Sequence, residues 1–239
     1  MKLSFSEPGL PKTGAVIVCV GDGGKLSATA RQLDKATGGA LSRAIKESRF
    51  SGKKSQLLDV VAPGGVAYGR IVMAGVGKGL NEQDQLALGG RLYAHLNQTG
   101  VKAAQVALEA TGRDLPEAAA NVAHGAHLRS YRFDKYRTQE KADAKPTLRA
   151  LAIRVKGAAA ARRAYAPLEK IAEGVFFTRD LVSEPPNVLY PETFAKEVKA
   201  LTKLGVKVEI LGEKQMAKLG MGSLLGVGQG SVRESQIAI

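Results

Sequence analysis

Residues 15 to 20 read Ala-Val-Ile-Val-Cys-Val, six apolar side chains in a row. A strand with one face in water alternates polar and apolar residues, so an unbroken run requires cover on both faces. Residues 71 to 76, Ile-Val-Met-Ala-Gly-Val, make the same demand. Both runs are far shorter than the ~20 residues that cross a bilayer. The chain must therefore place helices on either side of a sheet.

The pattern around the two runs supplies the parts. Residues 2 to 6 alternate with period two, as a half-buried strand does, and residues 55–61, 103–108 and 148–155 read as further strands. Helical spacing appears at 33–48, at 82–97 and at 115–130. In the second of these, Asn81 with Asp84 three residues on resembles a capping arrangement, and Leu88, Leu92 and Leu96 recur every four residues. Strands alternating with helices predict an α/β layer fold around a central sheet.

From residue 158 to residue 183 one long helix is expected, with Leu168, Ile171, Val175 and Val182, flanked by Ala172 and Phe176, as its apolar stripe. It must end at Glu184-Pro185-Pro186-Asn187, because two prolines cannot continue a helix. A fresh unit follows. Pro191 suits a first helical turn, Phe194, Val198 and Leu201 form a stripe, and Gly205 closes it. Residues 206 to 210 alternate like a strand, and a short helix is expected at 214–219 with Gly220 as its C-cap. The expected organisation is an α/β domain over 1–157, a helical linker over 158–187 and the first elements of another α/β unit over 188–239.

Composition narrows the function classes. Apolar residues at 44% and charged residues at 24% support a packed core. The N-terminus has no apolar core of a signal peptide, so a cytoplasmic location and no membrane association are expected. Cys19 lies inside a strand run and reads as a packing residue. Of the net charge of +13, much is local: residues 129 to 163 hold eleven Lys or Arg against Asp134, Glu140 and Asp143. Such a stretch is either a solvated edge or subunit contact, or a nucleic-acid surface.

Candidate chemistry is sparse. His124 and His127 are three apart on a helix, but a tight metal site needs three or four ligands, and no companion is nearby in sequence. His95 falls beside the leucine stripe of residues 82–97 and reads as structural or exposed. There is no G-x-S-x-G elbow. Gly21-Asp22-Gly23-Gly24 and Gly75-Val76-Gly77-Lys78-Gly79 follow strands. The second lacks the glycine that a phosphate loop needs at Val72 and the Ser or Thr it needs at Gly79, so it reads as a tight turn. Arg179, Asp180 and Glu184, near the end of the long helix, read as salt-bridged surface groups. No complete active site is expected.

Three segments carry a resemblance: residues 178–195 (TRDLVSEPPNVLYPETFA), 205–211 (GVKVEIL) and 218–231 (KLGMGSLLGVGQGS). In order, spacing and wording they resemble the linker and the opening of the catalytic domain of the leucyl aminopeptidase (cytosol aminopeptidase) family. Residues 130–138 (SYRFDKYRT) look like that family's tyrosine-rich segment. The resemblance implies an N-terminal domain of macro-like α/β fold with a central mixed sheet, a linker helix, and the start of an α/β metallo-exopeptidase domain. It also implies a cytoplasmic homohexamer that removes N-terminal residues from peptides with two divalent ions, zinc or manganese, in each complete subunit. Two adjacent ions suit that reaction because they polarise the scissile carbonyl and lower the pKa of a shared water.

The family's ligands are a lysine, three aspartates and a glutamate, carried by Gly-Lys-Gly-x-Thr-Phe-Asp and Asn-Thr-Asp-Ala-Glu-Gly-Arg motifs. Neither motif is in this sequence. Gly77-Lys78-Gly79 is a near miss followed by Leu80-Asn81-Glu82, about 100 residues too early, and no catalytic role passes to Lys78. The metal ligands and catalytic residues are thus expected downstream of Ile239, with no ion bound by this chain and no activity of its own. A departure is Tyr190, where many relatives place a Ser or Thr helix cap. Gln236 to Ile239 are expected to form a strand left without its neighbours. The alternative is a binding module, either the basic surface at 129–163 or a nucleotide pocket of the macro-like domain.

Overall fold

The computed structural model describes residues 1–10, 13–109 and 114–239, and its contacts divide into two units, Met1–Phe176 and Phe177–Ile239. In the first unit β1 (Lys2–Ser6) and β2 (Ala15–Gly21) precede a 3-10 turn at Asp22–Gly24 and a short β3 (Lys25–Leu26). There follow α1 (Ala28–Ala36), α2 (Ala40–Lys46), β4 (Leu57–Val61), β5 (Arg70–Gly77), α3 (Glu82–Asn97), β6 (Ala103–Ala107), α4 (Leu115–Arg129) and β7 (Ala150–Arg154). Then α5 begins, spanning Ala158–Ser183.

The sheet runs β1-β7-β6-β2-β5-β4, with β3 beside β2. β2 pairs in parallel with both β5 and β6, so Ile17 faces Val72 on one side and Val106 on the other. β4 closes one edge antiparallel to β5, and β1 closes the other parallel to β7. The expected α/β class with a central mixed sheet is the one observed.

Alternate residues of β2 enter different cores, which is why its sequence is apolar throughout. Ile17 and Cys19 join Val72, Val106 and Ile153 under α3, α4 and the start of α5. Val16, Val18 and Val20 join Ile71 and Met73 with Leu33 of α1 and Leu41 of α2. On the first face α3 and α4 meet at glycines: a Cβ on Gly89 would collide with the Val122 carbonyl, and one on Gly125 with the Leu86 carbonyl.

The helix expected over 33–48 is two helices. α1 starts earlier, because the Ser27 hydroxyl accepts from the Ala30 N–H at 3.3 Å and caps it. It stops at Gly38 and Gly39, whose φ angles of 61° and 83° no helix accommodates. The Asp34 carboxylate then accepts from the Ser42 N–H at 2.9 Å and holds α2 against the end of α1. The capping reading at α3 is confirmed as a full box, with Asn81 Oδ1 accepting from the Asp84 N–H at 2.8 Å and Asp84 Oδ2 from the Asn81 N–H at 3.1 Å.

The stripe expected on α5 is corrected in part: Leu168, Ala172 and Phe176 do pack, but Ile171, Val175 and Val182 do not. Ala158, Ala161, Tyr165 and Ala172 are the buried residues, while Ile171 and Val182 are 54% and 82% exposed. Small side chains let the helix lie close to its neighbours, while Tyr165, Leu168 and Phe176 also pack within the first unit.

In the second unit α6 (Pro191–Lys199) runs into a 3-10 turn at Ala200–Leu204, followed by β8 (Ile210–Gly212), α7 (Glu213–Lys218), α8 (Gly222–Gly228) and β9 (Gln236–Ala238). The strand expected at 206–210 begins only at Ile210, since Val206 is half exposed and residues 206–208 have no strand partner. β9 does have a neighbour: it pairs antiparallel with β8, Leu211 opposite Ile237, and Glu209 and Ile239 exchange N–H···O bonds of 2.8 and 2.9 Å. Gly220, at φ 73°, terminates α7 as its place in the sequence predicts. Among the described residues no helix is long and apolar enough to cross a membrane.

Candidate functional site

The two glycine-rich turns lie together at the carboxyl ends of β2 and β5, and the chain itself fills them. The Gly77 N–H donates to the Gly52 carbonyl at 2.8 Å, the Gly75 N–H to Gln56 at 2.9 Å and the Gly24 N–H to Ser51 at 3.0 Å. A Cβ on Gly75 would strike the Lys53 carbonyl, and one on Gly52 the Gly21 carbonyl. The glycines are therefore needed for backbone segments to approach one another, and these amides have no freedom to cradle a phosphate. The tight-turn reading of residues 75–79 holds.

Beside these turns is a cavity of about 660 Å³ lined by Cys19, Leu26, Val76 and Glu109, with Lys25, Arg31 and Lys78 along it. Glu109 follows β6 and reaches α1: its Oε2 accepts from the Thr29 N–H at 3.0 Å and its Oε1 from the Thr29 hydroxyl at 2.8 Å. A carboxylate here stabilises the positive end of the helix. The Cys19 thiol donates to the Ala107 carbonyl at 3.6 Å, and burial pushes its pKa up to about 11. It stays protonated at neutral pH and is no nucleophile. Glu109 and Thr29 are far apart in the chain, so no local pattern announced their meeting.

The three histidines are in two places. His124 is 8% exposed on α4, and its Nδ1 has no hydrogen-bond partner among the described residues. His127, one turn on, lies 2.8 Å from the Tyr165 hydroxyl through Nδ1 and edge-on to Phe176, ring centroids 5.1 Å apart. Burial holds both imidazoles below the usual histidine pKa, so they are neutral at pH 7. His95 is on α3, with Nε2 2.8 Å from Asp59 Oδ1, and Arg70 binds the other Asp59 oxygen. That trio ties α3 to β4 and β5. Among the described residues, no group of three or more His, Cys, Asp or Glu could hold a metal ion.

Several cations of the basic stretch have partners, though among Arg132, Arg154 and Arg162 only Arg132 has its charge neutralised. Arg132 pairs with Glu140, Arg154 Nε donates to Gln105 Oε1 at 2.5 Å, and Arg162 reaches the Phe5 carbonyl at 3.4 Å. Arg137, Lys141 and Lys145 remain exposed on the loop between α4 and β7, which also carries an edge-on pair of Phe133 and Tyr136 with centroids 5.8 Å apart. At the end of α5, Arg179, Asp180 and Glu184 each have a noncovalent partner.

In the second unit two other contacts hold Tyr190 at the start of α6. Thr193 supplies an oxygen that accepts the Tyr190 N–H at 2.9 Å, and the Arg233 guanidinium sits 3.8 Å above the Tyr190 ring. Sequence reading found the departure at Tyr190 and missed its partner, which lies on the far side of β8, α7 and α8 in the chain.

Comparison with known proteins agrees with the fold. The profile described as "Cytosol aminopeptidase family, N-terminal domain" matches residues 17–140, and that of the family's catalytic domain matches residues 176–239. A probable cytosol aminopeptidase of Caulobacter vibrioides is 49% identical over 229 residues, which are 95% of this chain and 46% of that protein. One from Bradyrhizobium sp. is 46% identical over 86% of this chain and 42% of its own length. A tomato leucine aminopeptidase mutant superposes with a TM-score of 0.82 at 25% identity, covering 95% of this chain and 48% of its own. The bottromycin maturation enzyme BotP in complex with Mn shares the fold at a TM-score of 0.70 and 22% identity, over 94% of this chain and 44% of its own. The chain spans about half the length of the curated relatives it matches.

Proposed function

The chain belongs to the cytosol aminopeptidase family, and on that premise we propose that it is the amino-terminal portion of a two-metal aminopeptidase acting on peptides. The supporting observation is the order of the two profile matches, the N-terminal domain and then the opening of the catalytic domain. Among the described residues no group of three or more His, Cys, Asp or Glu could hold a metal ion. We place the donors, zinc or manganese with them, in sequence equivalent to the second half of the relatives. The complete protein is proposed to be a cytoplasmic homohexamer.

The test is an assay on a leucyl chromogenic amide with added Mn²⁺ or Zn²⁺. The 239-residue chain alone is expected to give no turnover, while a chimera joining it to the remaining half of the Caulobacter relative is expected to give turnover that a chelator abolishes. Metal-dependent turnover by the 239-residue chain itself would place the ligands within it and overturn the reading.

A second reading, a nucleic-acid surface, has one observation in its favour: Arg137, Lys141 and Lys145 are exposed on the same loop as the exposed Tyr136 ring. Duplex DNA binding that weakens steeply with salt, and is lost on charge reversal of those three residues, would support it. Absence of binding at low salt would dismiss it.

A further inference from the structure

α3 ends at Asn97 and α4 at Arg129, and together with Tyr93, Arg132 and Pro146 these two ends line a cavity of about 200 Å³. Neither the aminopeptidase reading nor any motif of the sequence uses it. It is smaller than the roughly 300–1,000 Å³ of sites for drug-sized ligands, so whatever fills it is small.

Two polar groups at this cavity lack partners. Tyr93 is 7% exposed, yet its hydroxyl makes no hydrogen bond among the described residues. The Arg132 Nε is buried without one, and the carboxylate beside it, Asp134 Oδ2, lies 3.5 Å away. Buried polar groups are nearly always satisfied, so two orphans on one small cavity mark a missing partner. Arg129, exposed where it lines the same cavity, also makes no hydrogen bond or ion pair among the described residues. Burial raises the Tyr93 pKa, and the Arg132 and Arg129 guanidiniums oppose that rise, which puts both charges close to the hydroxyl.

Donor type, charge and shape select the ligand. Guanidinium N–H groups only donate, and a phenol hydroxyl donates to an anion. Among the described residues no carboxylate lines the cavity. Asp134 and Glu140 accompany Arg132, but Arg137 and Lys145 also act on Glu140, so with Arg129 four cations stand against two carboxylates. That surplus exceeds the opposing carboxyl ends of α3 and α4, worth about half a charge each. The donors come from three separate elements, α3, the end of α4 and the loop after it. A tetrahedral oxyanion can engage such a set with three oxygens at once, where a carboxylate has two.

We propose that this cavity binds a small tetrahedral oxyanion of the phosphate class, which accepts from the Tyr93 hydroxyl, from Arg129 and from the Arg132 Nε–H. The site is separate from peptide hydrolysis, so it and the aminopeptidase reading stand or fall independently.

The experiment is a titration of the ¹⁵N-labelled 239-residue chain with inorganic phosphate at constant ionic strength, followed through the amide resonances of residues 93–98 and 129–132. Saturable shifts in these segments are expected, with acetate binding about tenfold more weakly or worse, as loss of a charge-assisted hydrogen bond gives. Tyr93→Phe keeps the ring in the core and removes only the hydroxyl, and Arg129→Gln keeps an exposed polar chain. Each should weaken phosphate binding about tenfold, and the spectra themselves report that both variants are folded. Lys78→Gln removes a charge at the carboxyl ends of the strands, away from this cavity, and should leave affinity within about twofold. An oligothymidylate supplying the same concentration of phosphate groups should not displace the ion, because a backbone phosphate does not reach a side chain as buried as Tyr93. No saturable shift, acetate as tight as phosphate, unchanged affinity in Tyr93→Phe, an equal loss in Lys78→Gln, or displacement by the oligonucleotide would each overturn the proposal.

Discussion

Gly89 on α3 lies directly against the backbone carbonyl of Val122 on α4, leaving no space for a β-carbon. Its neighbour Gly90 is in the same helix, yet a Cβ there would meet nothing nearer than the Gly125 carbonyl at 3.6 Å. Two adjacent glycines thus do different jobs. Gly89→Ala should destabilise the first unit by about 1–3 kcal/mol through overpacking. Gly90→Ala should stabilise it by up to about 1 kcal/mol through helix propensity. Urea unfolding of the two variants checks this, and equal effects would mean that the helix contact is looser than the structure has it.

His124 carries a prediction about acid. Burial lowers its folded pKa and that of His127, so the folded state prefers neutral imidazoles while the unfolded chain titrates normally, near 6.5. Protons then bind the unfolded chain more readily. The stability from these groups is fully present above about pH 6.5 and is lost as pH falls from there toward the lower folded values. His124→Leu removes a buried nitrogen that has no partner among the described residues. It should leave stability at pH 7.5 unchanged or higher, and should flatten the decline between pH 7.5 and 5.5, measured by unfolding at each pH.

How much of this was readable from the sequence depended on what kind of residue carried the information. The β2 run was legible because six apolar residues in a row have one structural meaning, and the Asn81–Asp84 box because its partners are three residues apart. The face of α5 was only partly legible, since Leu168 and Ala172 were found but Ala158, Ala161 and Tyr165 were not, and periodicity gives alanines little weight beside Ile171 and Val182. The break between α1 and α2 was hidden because Leu41 and Ile45 continue the spacing of Leu33 past Gly38 and Gly39. Two turns that line the cavity at the carboxyl ends of the strands, at Gly21-Asp22 and Gly77-Lys78, were legible, but its far wall was not, since Glu109 meets Thr29 only after β2 and β6 pair. The absence of the family's ligand motifs, by contrast, was readable by inspection.

Asp59 ties α3 to the paired strands β4 and β5. Its carboxylate accepts from Arg70 on β5 and lies 2.8 Å from His95 on α3, with its side chain four-fifths buried. Asp59→Ala leaves the Arg70 guanidinium partly buried and unpaired, and should cost about 1–3 kcal/mol in urea unfolding. His95→Ala should cost less, because Arg70 keeps its partner. An equal cost for both would make the histidine contact, and not the Arg70 pair, the main tie.

Tyr190 and Arg233 test whether the second unit has exchanged one stabilising device for another. Tyr190→Thr would restore a side-chain acceptor at the N-cap of α6, worth about 1 kcal/mol, and would lose the guanidinium–ring contact, worth roughly 0.5–1 kcal/mol at an exposed site. The two nearly cancel, so Tyr190→Thr alone should change stability little. Arg233→Ala alone should destabilise by the value of the contact. In the Arg233→Ala background the contact is already gone, so Tyr190→Thr should show the full gain of the cap. A double-mutant cycle read by thermal unfolding separates the two terms. A coupling of zero would mean that Arg233 merely lies near the ring, and that the tyrosine is tolerated because Thr193 already accepts its N–H.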